Sequence, residues 1–183
     1  KNAWFHRRDL VTGLIQYEAP DILGIQEVLL NQKRDLETAL PEYTLVGVAR
    51  DDGKESGEFS PLAFRRDRFK LIQSGTFWLS TTPQSPGKAW DAALPRIATW
   101  ARLREQQSGR AILVINTHFD HVGSVARMES AKLLRSWLND NREPGDAAIL
   151  LGDFNSDTRS APYLELTANG SNKIALFDSL TVS

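Results

Sequence analysis

Apolar residues recur along this chain in two rhythms. Near its start they return every three or four positions, which places Leu10, Val11, Leu14 and Ile15 on one helical face, with Asn2 as the cap and Pro20 as the stop. "DILGIQEV", residues 21–28, is too short for another helix after that breaker and reads as a strand buried on both faces. A second helix spans about residues 30–39 and ends before Pro41. "YTLVGV", "SPLAFRR", "FKLIQSGTFWLS" and "IATWARLRE" follow, separated by turn-rich spacers such as "RDDGKESG" and "TTPQSPGK". Strands in such succession favour antiparallel pairing, and the "QQSG" before "RAILVINTHF" marks a hairpin.

Helical spacing comes back from Val125 to Leu138, with Met128, Ala131 and Leu134 between, and "EPGD" closes it. The strand "AAILLGD" comes next, Ser160 with Pro162 opens a last short helix, and "IALFDSL" begins an element that the chain does not finish. We find no internal repeat, low-complexity tract or interdomain linker, so residues 1–183 read as one α/β domain. Helices that bracket two groups of strands predict two packed sheets with helices outside them.

Composition narrows the chemistry. The 183 residues are 41% hydrophobic and include five Trp, enough for a substantial core. Lys and Arg total 22 against 23 Asp and Glu, a net charge of -1 that advertises no nucleic-acid binder and leaves room for a local basic groove. With no cysteine, disulfides, thiolate zinc sites and cysteine nucleophiles are excluded. No apolar run approaches the roughly 20 residues that span a bilayer, and no signal peptide is visible. A soluble monomer is expected, its compartment unreadable and any export signal missing from the given chain.

Three apolar runs end in acid, amide or imidazole. "ILGIQE" ends in Glu27, "ILVINTHFDH" in His118, Asp120 and His121, and "ILLGDFNSD" in Asp153 and Asn155. In a layered α/β protein, side chains leaving one set of strand ends stand on a rigid frame yet reach solvent. Carboxylates gathered there without a cation would raise one another's pKa, so a divalent metal is their natural companion, and oxygen ligands without thiolate point to Mg²⁺ or Mn²⁺. Taken singly, each residue has a plainer reading: "GDFN" as a turn, Glu27 as a helix-start carboxylate, His118 as a core histidine, Asp120 and His121 as the start of a loop.

In their order, "GIQEV", "GEFSPLAFRRDRF", "INTHFDHVG" and "LLGDFN" resemble the endonuclease/exonuclease/phosphatase superfamily, over about Asn2 to Asp178. The extended pattern "FWLS... WDAALPRIATWA" is similar to that of bacterial hydrolases within it. The resemblance implies a four-layer α/β sandwich, two packed mixed β-sheets flanked by helices, with a divalent metal at one end. It implies Glu27 as metal ligand, Asp153 as the residue that orients or deprotonates the attacking water, Asn155 as the phosphate-stabilising amide and His118 as a phosphate contact. Glu58 stands seven residues before Arg65, the spacing of a family glutamate that pairs with this histidine; a solvated loop charge is the alternative. Arg96 could neutralise a substrate phosphate or sit in a surface salt bridge, with Asp120 and His121 beside the substrate.

By the same resemblance, the family's first strand and its final catalytic segment would lie outside Lys1 and Ser183, so these residues alone are expected to bind metal weakly and turn over slowly or not at all. The expected activity is metal-dependent hydrolysis of a phosphodiester or phosphomonoester, with a small phosphoester, lipid head group or nucleic acid as the phosphorylated partner. A catalytically inactive module that binds a phospholigand or a protein is the alternative.

Overall fold

The computed structural model describes residues 3–168 and 174–181. Its first sheet contains β1 (Ile22–Gly24), β2 (Tyr43–Val46) and β3 (Leu62–Arg65), in the order β1-β3-β2 with every pair antiparallel. Its second contains β4 (Phe69–Trp78), β5 (Ile97–Glu105), β6 (Ala111–His118) and β7 (Ala147–Asp153), in chain order. β4, β5 and β6 are antiparallel neighbours, as the strand succession predicts, and the "QQSG" turn closes the β5–β6 hairpin. β7 runs parallel to β6, because helix α3 (Ser124–Asn141) carries the chain back to the same end of the sheet before it starts.

The two sheets meet through Leu62, Phe64, Phe69, Ala101, Leu103 and Val114. Helices α1 (Trp4–Glu18) and α2 (Leu30–Ala39) cover the outer face of the first, where Leu36, Leu40, Tyr43 and Ala63 pack together. α3 and the short α4 (Ala161–Thr167) cover the second over Leu113, Ile115, Leu134 and Leu138. The result is the expected four-layer α/β sandwich. Leu134 is wholly enclosed, and its truncation to alanine would cost about 2–5 kcal/mol.

Three local expectations are corrected. In α1, Leu10 and Leu14 face solvent, 76% and 59% exposed, while Val11, Ile15 and Trp4 face the core. The Trp4 indole N–H donates to Asp35 in α2 at 2.7 Å, which fixes the rotation of the helix. Asn2, the predicted cap, lies outside the described residues, and Ala3 occupies the N-cap position without a side-chain bond. β1 is only three residues long and half-buried, because it is an edge strand. In α3 the buried face is Ala126, Ser130, Ala131, Leu134, Arg135 and Leu138, leaving Val125 exposed. Its first turn is oriented by Asp91, whose carboxylate accepts the N–H groups of Val125 and Ala126. Arg135 tolerates burial because its guanidinium donates to the carbonyls of Glu165, Ala168 and Ile174. Among the described residues, no helix is long and apolar enough to cross a membrane.

Candidate active site

The parallel register of β6 and β7 sets His118 directly opposite Asp153. Gly152 makes that approach possible: a Cβ there would lie 2.3 Å from the Thr117 carbonyl oxygen, and the backbone holds φ +153°. The Phe119 N–H then donates to the Asp153 carbonyl at 2.9 Å. Phe119 and Phe154 pack edge to face in the core, ring centroids 5.2 Å apart. Their burial turns the flanking Asp153 and Asn155 outward, both exposed, around the largely buried His118.

Asn155 has φ +45°, a left-handed conformation that asparagine tolerates better than most residues. Its N–H donates to Asp153 Oδ1 at 2.9 Å, so the turn reading of "GDFN" is correct as local structure. The same turn aims a side chain. Asn155 Nδ2 donates to the Phe119 carbonyl at 3.0 Å and lies 3.1 Å from His118 Nε2. Asp153 Oδ2 stands 3.9 Å from that same imidazole nitrogen.

Glu27 arrives from the first sheet. Asn116 of β6 is completely buried, and its amide donates to the carbonyls of Ile25 and Pro61 while accepting from Gln26 at 2.7 Å. On the other side, Val28 and Phe59 exchange backbone hydrogen bonds of 3.2 and 2.7 Å. Held between these clamps, Glu27 adopts φ +59° and points its carboxylate outward, exposed. Such a conformation in a non-glycine residue costs about 1–3 kcal/mol and gathers at functional sites.

His118 feels all of these groups. Burial lowers its pKa from the usual imidazole value and the Arg96 cation lowers it further, while Asp153, Glu27 and Glu58 act in the opposite direction. Carboxylates from three separate strand ends and loops therefore share one imidazole. Among the described residues, no three His, Asp or Glu side chains gather closely enough to enclose a metal ion. The exposed carboxylate of Glu27 is an oxygen donor of the kind that suits a Mg²⁺ retaining several waters and not a fully caged ion.

The remaining expected residues divide. Arg96 is 5% exposed, its Nε 3.3 Å from Asp120 Oδ2 and its Nη2 2.8 Å from His121 Nδ1, so it is a buried ion pair and not a surface one. Asp120, expected beside substrate, is committed to the frame instead. It is 1% exposed, and besides Arg96 it accepts the N–H groups of Ala93, Leu94, Val122 and Gly123. Burial by itself pushes its carboxyl pKa up, but those four N–H donors hold it far below the usual carboxylate range. Glu58 is not hydrogen-bonded to His118. Its carboxylate is taken by Arg50 at 2.5 Å, although it remains close enough to act on the imidazole electrostatically.

Asn116, Asp91 and Arg50 are not among the residues expected from the sequence. Asn116 carried a usable signal, an amide in the middle of the apolar run "ILVINTHF".

A model of the family described as endonuclease/exonuclease/phosphatase matches residues 1–180. An endonuclease/exonuclease/phosphatase from Bacteroides vulgatus superposes with a TM-score of 0.87 at 43% identity, covering 92% of this chain and 64% of that one. A mannosyl-6-phosphatase from Bacteroides thetaiotaomicron does so with a TM-score of 0.88 at 41% identity, covering 91% and 62%. The uncharacterized protein L388 of Acanthamoeba polyphaga mimivirus is 31% identical over 172 residues, 85% of this chain and 60% of that protein. The chain thus spans about 60% of the length of these relatives.

Proposed function

The chain belongs to the endonuclease/exonuclease/phosphatase family, and on that premise we propose that it is a metal-dependent phosphoesterase hydrolysing a small phosphate ester by in-line attack of water. The observation that carries this reading is the convergence of Asn155, Asp153 and Glu27 on His118 at the paired ends of β6 and β7. A domain that only binds has no need of a carboxylate aimed beside such an imidazole.

Glu27, which like Asp153 acts on the His118 imidazole, would hold Mg²⁺ or Mn²⁺. When bound, the ion supplies positive charge to the phosphoryl oxygens and the departing oxygen. Asp153 is exposed and only locally hydrogen-bonded, so it is free to accept a proton from the attacking water. Asn155 and His118 form a fixed, mutually hydrogen-bonded polar pair against which the phosphoryl group is oriented. Arg96, charged and buried behind His118, adds an attractive field for the anion and cannot move away from it. His121 has an exposed ring within reach of the substrate's remaining portion.

Two observations support a small ester over duplex nucleic acid. The net charge of -1 lacks the excess cation that neutralises many phosphates, and the mannosyl-6-phosphatase is 41% identical. The test is a panel of a hexose 6-phosphate, bis-p-nitrophenyl phosphate and single-stranded oligonucleotide, each with Mg²⁺ and with EDTA, run on a polypeptide of its relatives' full length beside residues 1–183. Hydrolysis of the sugar phosphate that EDTA abolishes is expected. Binding of phosphate without turnover of any panel member would mark a binding module instead.

A further inference from the structure

Beside the His118 imidazole lies a cavity of about 10 Å³, lined by Arg50, Glu58, Ser60, Arg96, Ile97 and His118. It has room for about one oxygen-sized atom. The donors around it exceed their acceptors. Ser60 is 5% exposed, yet its hydroxyl has no hydrogen-bond partner among the described residues. Arg50 Nε is buried and without a hydrogen-bond partner, its ion pair with Asp51 at 3.6 Å being beyond hydrogen-bond reach. Unsatisfied buried donors are uncommon in folded proteins, and one such donor together with an unbonded hydroxyl in the lining of the same small hole points to an acceptor that arrives from outside.

The walls also define what that acceptor is. Each guanidinium is held in place by an acid, Glu58 on Arg50 and Asp120 on Arg96, which offsets part of its charge without removing it. The hole's size excludes a whole phosphate. Ser60 itself is rigidly placed: it precedes Pro61, which favours extended backbone, and the Pro61 carbonyl is held by the Ile25 N–H and by Asn116.

We propose that this hole receives one non-bridging oxygen of the substrate phosphoryl group, with the Ser60 hydroxyl as its donor and Arg50 and Arg96 as its charged walls. The phosphorus stays outside, on the side of His118 and Asn155. Resting on the phosphoesterase reading, this makes Ser60 a catalytic residue, because a donor fixed before the reaction strengthens as negative charge grows on that oxygen.

The test combines turnover with the binding of inorganic phosphate, each measured on the wild type, Ser60→Ala and Arg50→Lys, with melting curves as the folding control. Ser60→Ala is expected to lower kcat by at least about 10-fold with little change in KM, and to weaken inhibition by phosphate. Should Ser60→Ala fail to fold, the nearly isosteric Ser60→Cys, a far weaker donor, is held to the same outcomes. Unchanged kcat and phosphate inhibition would show a water pocket only and overturn the proposal while leaving hydrolysis intact. If the wild type hydrolyses no phosphoester, protection by phosphate against thermal unfolding becomes the readout. Protection lost in Ser60→Ala then upholds the hole and sinks only the hydrolase reading, whereas protection retained, or absent from the wild type, overturns the hole.

Discussion

Asn155 Nδ2 lies 3.1 Å from His118 Nε2 while donating to the Phe119 carbonyl, 3.0 Å away, and a carbonyl can only accept. The nitrogen end of the amide is therefore fixed, His118 Nε2 is the acceptor, and the neutral imidazole carries its proton on Nδ1. Asn155→Asp replaces that donor with a charge that attracts a proton to Nε2. We expect His118 to titrate at higher pH in the variant, read from imidazole NMR shifts, and kcat to fall by about 10²-fold.

Acid should weaken the fold through His118. Its pKa is lowered in the native state, chiefly by burial, so the unfolded chain takes up the proton first as pH falls below about 6.5. Stability contributed by the neutral imidazole is full above that pH and declines until the native pKa is passed. Urea midpoints at several pH values check this, and a His118→Gln variant should show a shallower decline across the same window.

Asp120→Asn leaves the volume nearly unchanged and removes the charge opposite Arg96. It also points amide hydrogens at N–H donors from Ala93, Leu94, Val122 or Gly123. Breaking a buried pair from one side costs about 3–5 kcal/mol, so the denaturation midpoint should fall by a correspondingly large amount. A loss below about 0.5 kcal/mol would be that of an ordinary surface site and would refute the framing role.

Gly152→Ala forces a methyl group against the Thr117 carbonyl. The overlap is expected to cost about 1–3 kcal/mol and to push His118 away from Asp153, so turnover should fall even where the protein remains folded. Calorimetry and kinetics on the same preparation separate the two effects.

Removing the Glu27 carboxylate should abolish the rise in melting temperature on adding Mg²⁺ and lower kcat by orders of magnitude, with the fold retained. Equal Mg²⁺ protection in Glu27→Ala and the wild type would reject its ligand role.

Much of the candidate site's placement could be read from the chain because its residues stand where apolar runs stop. Glu27, His118, Asp153 and Asn155 all follow strand-like stretches, and the intervening Phe119 and Phe154 signal by their size which neighbours must turn outward. Asp120 was harder, since its donors Ala93 and Leu94 are backbone groups from a distant loop and carry no side-chain signature. Glu58 presented the right spacing, but spacing does not show that Arg50 reaches it first. The rotation of α1 rests on one indole N–H finding Asp35, a tertiary contact that periodicity cannot encode.

Under the proposed ligand role of Glu27, its left-handed backbone sets robustness against turnover at a single position. Glu27→Gly would relieve the conformational penalty and delete the carboxylate in one step. A screen for heat tolerance that ignores catalysis should therefore enrich this very change, yielding a sturdier protein that no longer works.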